Sequence, residues 1–129
     1  LQVRRCLEVE GARLAAAART DEDLAELRAL LDRRDDHQQH DRHEEFVRAD
    51  TDFHLAVVRC SHNPVLTELY CGLTEVLMAS VATTSAKPVQ ADQIRHRGLV
   101  DAIAAADIEA AGREAGGFLD ELLEQLPPC

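Results

Sequence analysis

Three residues in this chain carry chemistry that a plain helical core does not need: Asp50, His54 four positions later, and the distant His96. A carboxylate and two neutral imidazoles form a donor set suited to zinc, nickel, iron or manganese, and helical-bundle interiors are where such sites are built. The surrounding sequence turns these residues inward. On a helical wheel of about 100° per residue, Phe46, Ala49, Phe53, Ala56, Val57 and Cys60 form one apolar arc, flanked by Val47 and Val58. Arg48, Thr51, Asp52 and Arg59 fall opposite, with Leu55 the one apolar exception. Asp50 and His54 lie inside the arc, at a spacing that lets their side chains meet. A buried carboxylate is costly unless a cation or hydrogen-bond donor satisfies it. His96 falls in the stripe of Leu99, Val100 and Ile103, with Arg95 and Arg97 expected to point away on either side. Spacing alone leaves two readings open: a metal- or acid-binding site, or an Asp–His pair and a satisfied histidine that stiffen a core.

The elements that position these residues read as six helices. The first covers residues 1–18, with Leu7, Gly11, Leu14, Ala15 and Ala18 on one face. Thr20 caps the second, whose first turn holds Asp21, Glu22 and Asp23 and whose buried stripe is Leu24, Leu27, Leu30 and Leu31. The third spans residues 41–59. Asn63 followed by Pro64 starts the fourth, which carries Leu66, Leu69, Tyr70, Leu73, Val76 and Leu77. After Pro88 a fifth covers residues 90–106. Asp107 caps a sixth with Ile108, Ala111, Ala115, Leu119 and Leu122 inward, which runs to residue 126 before Pro127 and Pro128. No segment alternates with the period of a strand. The pattern predicts an all-α antiparallel bundle of about six helices, one domain over residues 1–126.

Composition narrows the function. Hydrophobic residues make up 46% of the 129, yet aromatics are 3% and Trp is absent, so Leu, Ala and Val must build the core. The formal net charge of -10 does not suit a domain that grips a polyanion by itself. No run is apolar enough for a membrane span. Cys6, Cys60, Cys71 and Cys129 form no C-x-x-C pair and read as reduced thiols of a cytoplasmic protein. His37, His40 and His43 recur every third residue among Asp, Gln and Arg neighbours, which marks a solvated helix end; His62 lies in an exposed turn. The chain opens in mid-pattern without Met, as a piece of something longer would.

Several stretches resemble one family in order along the chain. Arg4, Leu7 and Glu8 with the following A-R-L-A-A-A-A-R-T are similar to the first helix of the FadR-type C-terminal effector domain of GntR-family transcription regulators. A-D-T-D-F-H, from Ala49 to His54, resembles that family's A-D-x-x-F-H motif, S-H-N-P its S-x-N-P turn, and H-R-G-L-V-D-A-I-A-A-A-D its penultimate helix. The resemblance implies a homodimeric sensor of a small-molecule effector, expected to be a carboxylate, that reaches DNA only through an N-terminal winged helix absent from this chain. It implies no catalytic residue. In the family's metal-binding branch one Asp and three His hold a divalent cation such as zinc or nickel; Asp50, His54 and His96 match the first three. Phe118 stands at the fourth position, after Gly116 and Gly117, and is expected to line the pocket. Either three ligands keep the metal with water or effector completing the shell, or the metal is absent. Arg4 is the cation expected to receive an effector carboxylate, whereas Arg13 reads as a surface charge paired with Glu8 or Glu10. Two rivals remain: a small helical metalloenzyme using the same triad, and a dimerisation module with a vestigial pocket.

Overall fold

The computed structural model describes the backbone of residues 2–83 and 89–125 and the side chains of residues 2–73 and 93–117. Six helices run in order: α1 (Gln2–Ala18), α2 (Asp21–Gln39), α3 (His43–Arg59), α4 (Pro64–Thr83), α5 (Val89–Ala104) and α6 (Ile108–Gln125). No strand occurs among the described residues, and the all-α expectation holds.

The helix starts follow the caps read from sequence. Thr20 and Asp23 form a reciprocal capping box at α2, satisfying two orphan amides at once. Asn63 Oδ1 accepts from the Leu66 amide and Asp107 Oδ1 from the Ala110 amide, which fixes the starts of α4 and α6. Two ends fall earlier or later than expected, for a backbone reason. Ala106 adopts φ 56, with its own amide bonded to Ile103 O and the Asp107 amide to Ala102 O, so α5 closes at Ala104. Asp41, at φ 58, ends the α2 turn in the same way and delays α3 to His43. Arg19 adds donors at the α5 terminus, 3.3 Å from Ile103 O and 2.6 Å from Ala104 O.

The core joins α1, α2, α3, α5 and α6 through Ala12, Ala15, Leu27, Phe53, Ile103 and Ala111. Helix α1 is rotated from its expected orientation. Arg4, Glu8, Gly11, Ala12, Ala15 and Ala16 are buried, Leu7 and Leu14 are half-buried beside Val58, Leu66 and Tyr70, and Ala18 is exposed. Small side chains let α1 approach its neighbours closely; a Cβ on Gly11 would stand 3.1 Å from Val58 Cγ2. At α6, Ala111 and Ala115 are buried as expected, but Ile108 is exposed at the opening of the helix. None of the helices, searched over the described residues, is long and apolar enough to cross a membrane.

Candidate metal and effector site

Helix α3 carries Asp50 and His54 on its buried face, and α5 brings His96 to meet them. His54 Nε2 lies 3.2 Å from His96 Nε2 and 3.4 Å from Asp50 Oδ1, while His96 Nε2 lies 3.6 Å from Asp50 Oδ1. This is the metal-competent group found among the described residues. Ligands bound to zinc at about 2.0–2.1 Å in a tetrahedron stand about 3.3–3.4 Å apart, so the triangle has the size of one tetrahedral face. His54 is also oriented for the task. Its Nδ1 is 2.7 Å from Glu8 Oε1, the carboxylate contact that fixes a ligating imidazole with its other nitrogen facing the ion. Phe53 packs edge-on against both imidazoles and restricts their rings. The residues present therefore fit a divalent cation on three protein ligands.

Charged and polar groups reach the cluster from α1, α2 and α4. Arg4 and Glu8 form a buried ion pair on α1, in electrostatic contact with Tyr70 of α4. Arg34 of α2 is 1% exposed; its Nε donates to Asp50 Oδ1 at 2.6 Å and its Nη1 to Asp35 Oδ1 at 3.1 Å. Its guanidinium also lies over the Phe46 ring, 4.9 Å from the centroid. Burial alone would discourage each charge, but the partners outweigh it. Burial opposes ionisation of Glu8, yet His54 and Arg4 hold its carboxyl down at about 2. Asp50 is held well below the usual carboxylate range against burial, by His54 and Arg34. Burial disfavours a charged His54, but Glu8 and Asp50 push it up to about 9. The raised value favours a proton on His54, which a metal held at Nε2 would displace.

A cavity of about 10 Å³ adjoins the imidazoles, lined by Glu8, His54, Val57, Arg95, His96, Leu99, Glu114 and Ala115. That is room for one ion or water. Arg4 does not line it, being turned onto Glu8, whereas Arg95 does, contrary to the outward direction its position on α5 suggested. The reason is Gly117 on α6: a Cβ there would overlap Arg95 Nη1, so the missing side chain makes space for the guanidinium. Reciprocally, a Cβ on Gly98 of α5 would stand 3.2 Å from the Glu114 carboxylate of α6. Arg95 and Glu114 meet at 3.8 Å across this seam. The side chain of Phe118 lies outside the described residues, as do Leu119 and Leu122.

The other singled-out residues lie apart. His40 and His43 are exposed and His37 half-buried, with His40 beside Asp36. His62 is exposed and sits 2.8 Å from Asp23 Oδ2, tying the α3–α4 turn to the α2 cap. Arg13 faces Glu10 at 3.8 Å on the surface. Cys6, Cys60 and Cys71 are free thiols, and burial pushes that of Cys60 up to about 12, which keeps it inert. Sequence reasoning missed Arg34, Glu8 as the partner of His54, and Arg95. For Arg34 the signal was present, since it continues the Leu24, Leu27, Leu31 register by three residues.

The comparisons with known proteins assign this helical bundle to a family. The FCD domain family matches residues 1–121, and the chain belongs to it: it is the effector-binding domain of a GntR/FadR-type transcription regulator. It is similar in fold to E. coli McbR/YncC, with a TM-score of 0.75, 23% sequence identity, and coverage of 96% of this chain and 62% of that one. The chain thus spans about three-fifths of the length of that protein. No curated protein matches it.

Proposed function

We propose that this domain senses a small organic acid through a divalent cation, zinc or nickel by ligand type, held by Asp50, His54 and His96. The observation that carries the reading is the donor triangle, whose edges of 3.2, 3.4 and 3.6 Å match a tetrahedral face. A bound cation would supply a positive centre able to take a carboxylate oxygen. Glu8 keeps His54 turned toward it. Arg95 rather than Arg4 is the cation that receives the remainder of the acid, because Arg95 lines the cavity. A cavity of about 10 Å³ does not admit a metabolite, so the acid must part Arg95 from Glu114 and widen the α5–α6 seam. That coupling of ligand to helix position is the differential contact a sensor needs.

The protein is read as a binding module without catalysis, acting as a homodimer whose DNA-binding winged helix lies in another part of the regulator. Val3, Val65 and Leu69, exposed at 61%, 70% and 56% on α1 and α4, support pairing through early helices. The test is calorimetric titration of chelator-treated protein with zinc and nickel, followed by a thermal-shift screen of small carboxylates on the loaded form. One equivalent should bind, and His96→Ala should abolish it. Absence of stoichiometric binding by the wild type would refute the metal reading.

A further inference from the structure

Arg34 holds the carboxylate oxygen that faces both imidazoles. Its Nε donates at 2.6 Å to Asp50 Oδ1, the atom that lies 3.4 Å from His54 Nε2 and 3.6 Å from His96 Nε2. The guanidinium is fixed on two sides. Asp35 takes Nη1 at 3.1 Å and is itself 3.7 Å from the surface Arg97, while Phe46 lies under the guanidinium plane. An alternating row of charge, Arg97, Asp35, Arg34 and Asp50, therefore runs from solvent into the cluster. Buried Glu8 and Asp50 are already matched by buried Arg4 and Arg34 before any metal arrives. This is an unusual setting for a cation site, in which a carboxylate ligand ordinarily offers its charge to the ion.

We infer that Arg34 is a resident counter-cation of Asp50 that sets the metal affinity of the site, holding it low enough for the ion to exchange. The inference rests on Asp50, His54 and His96 being the metal ligands. Two physical effects act in the same direction. A dication approaching Asp50 is repelled by a guanidinium bonded to the same oxygen, at short range and in a screened-off interior. Removing Arg34 also takes from buried Asp50 one of its two cationic neighbours, His54 being the other, a loss that a metal ion relieves. A guanidinium that served merely to aim Asp50 would have the opposite signature, since losing an orienting contact weakens metal binding.

The experiment is competition titration of zinc against a chromophoric chelator for the wild type, Arg34→Met, Arg34→Lys and His96→Ala, at one pH and low salt. Arg34→Met should bind zinc at least tenfold more tightly than the wild type, and Arg34→Lys, which keeps the charge, within a few-fold of it. Should Arg34→Met fold poorly without metal, its unfolding temperature with and without zinc gives the same answer: zinc should raise it more than it raises that of the wild type. Equal or weaker binding by Arg34→Met, or no greater zinc stabilisation, overturns the inference. If wild type and His96→Ala bind zinc equally, the ligand assignment has failed; if only the order of the Arg34 variants is reversed, the ligands stand and the role of Arg34 falls.

Discussion

Raising the pH of the metal-free domain should unfold it more readily, and the site fixes how much. His54 touches Glu8 through Nδ1 and lies near Asp50 and His96 through Nε2, with Arg4, Arg34 and Tyr70 behind the carboxylates. The net effect raises it from 6.5 to about 9. A folded-state value above the unfolded one means that His54 contributes stability that is fully present below pH 6.5 and is lost as the pH climbs through 9. The side chain is only 5% exposed, so screening by water takes little from the effect. The interval corresponds to about 3 kcal/mol, or roughly a 10 °C fall in Tm for a domain of this size. Chemical denaturation at a series of pH values from 6 to about 9.5, in the presence of a chelator, measures it. His54→Gln should flatten the slope, separating it from thiol ionisation in the unfolded chain. Saturating zinc should counter it, because the ion replaces the Nε2 proton and binds more tightly as pH rises, by up to about tenfold per pH unit. A metal-free wild type whose stability does not change over this range would refute the assignment of His54 as a buried imidazolium.

Three further outcomes are expected. Glu8→Gln should weaken zinc binding by about 10–100-fold and lower stability by about 3–5 kcal/mol by leaving Arg4 uncompensated, both measurable by titration and urea melts. Gly117→Ala should raise Tm slightly, since Ala is favoured over Gly in a helix by about 1 kcal/mol and the side chain it meets is the flexible end of Arg95, while a crystal structure of the variant should show Arg95 displaced from Glu114. Phe118→His should tighten zinc binding more than about tenfold by adding a protein ligand, whereas Phe118→Ala should not; equal affinities in all three proteins would mean that position 118 does not face the cluster.

Much of the fold was legible because its signals are local. Thr20, Asn63 and Asp107 act as caps through atoms within three residues, so sequence spacing suffices to find them. Asp50, His54 and His96 were legible because each interrupts an apolar register. The electrostatic frame around them was not. Periodicity assigns a face to a backbone position, and Arg34 keeps to the buried face of α2, but it names no charge partner, and a side chain as long as that of Arg95 can finish elsewhere. Arg4, the cation expected to receive an effector carboxylate, is paired with Glu8. Arg95 was read as pointing away, because the recess at Gly117 belongs to a helix more than a dozen residues downstream. Leu7 and Leu14 suggested the wrong inner face of α1, since hydrophobicity favoured them over the smaller residues that permit close helix approach.

The glycines divide the bundle into two kinds of joint. At Gly11 the neighbour is Val58, a branched apolar side chain on α3 that is fully buried, and nothing there can withdraw without opening a void. At Gly98 and Gly117 the neighbours are the ends of Glu114 and Arg95, each about one-third exposed. Such side chains can swing into water and leave no dry gap behind. At Gly98 and Gly117 the α5–α6 contact is thus made by removable charged side chains, while at Gly11 the α1–α3 contact is made by hydrocarbon. At these two glycines α5 and α6 can part without opening a dry void, which the contact at Gly11 does not allow.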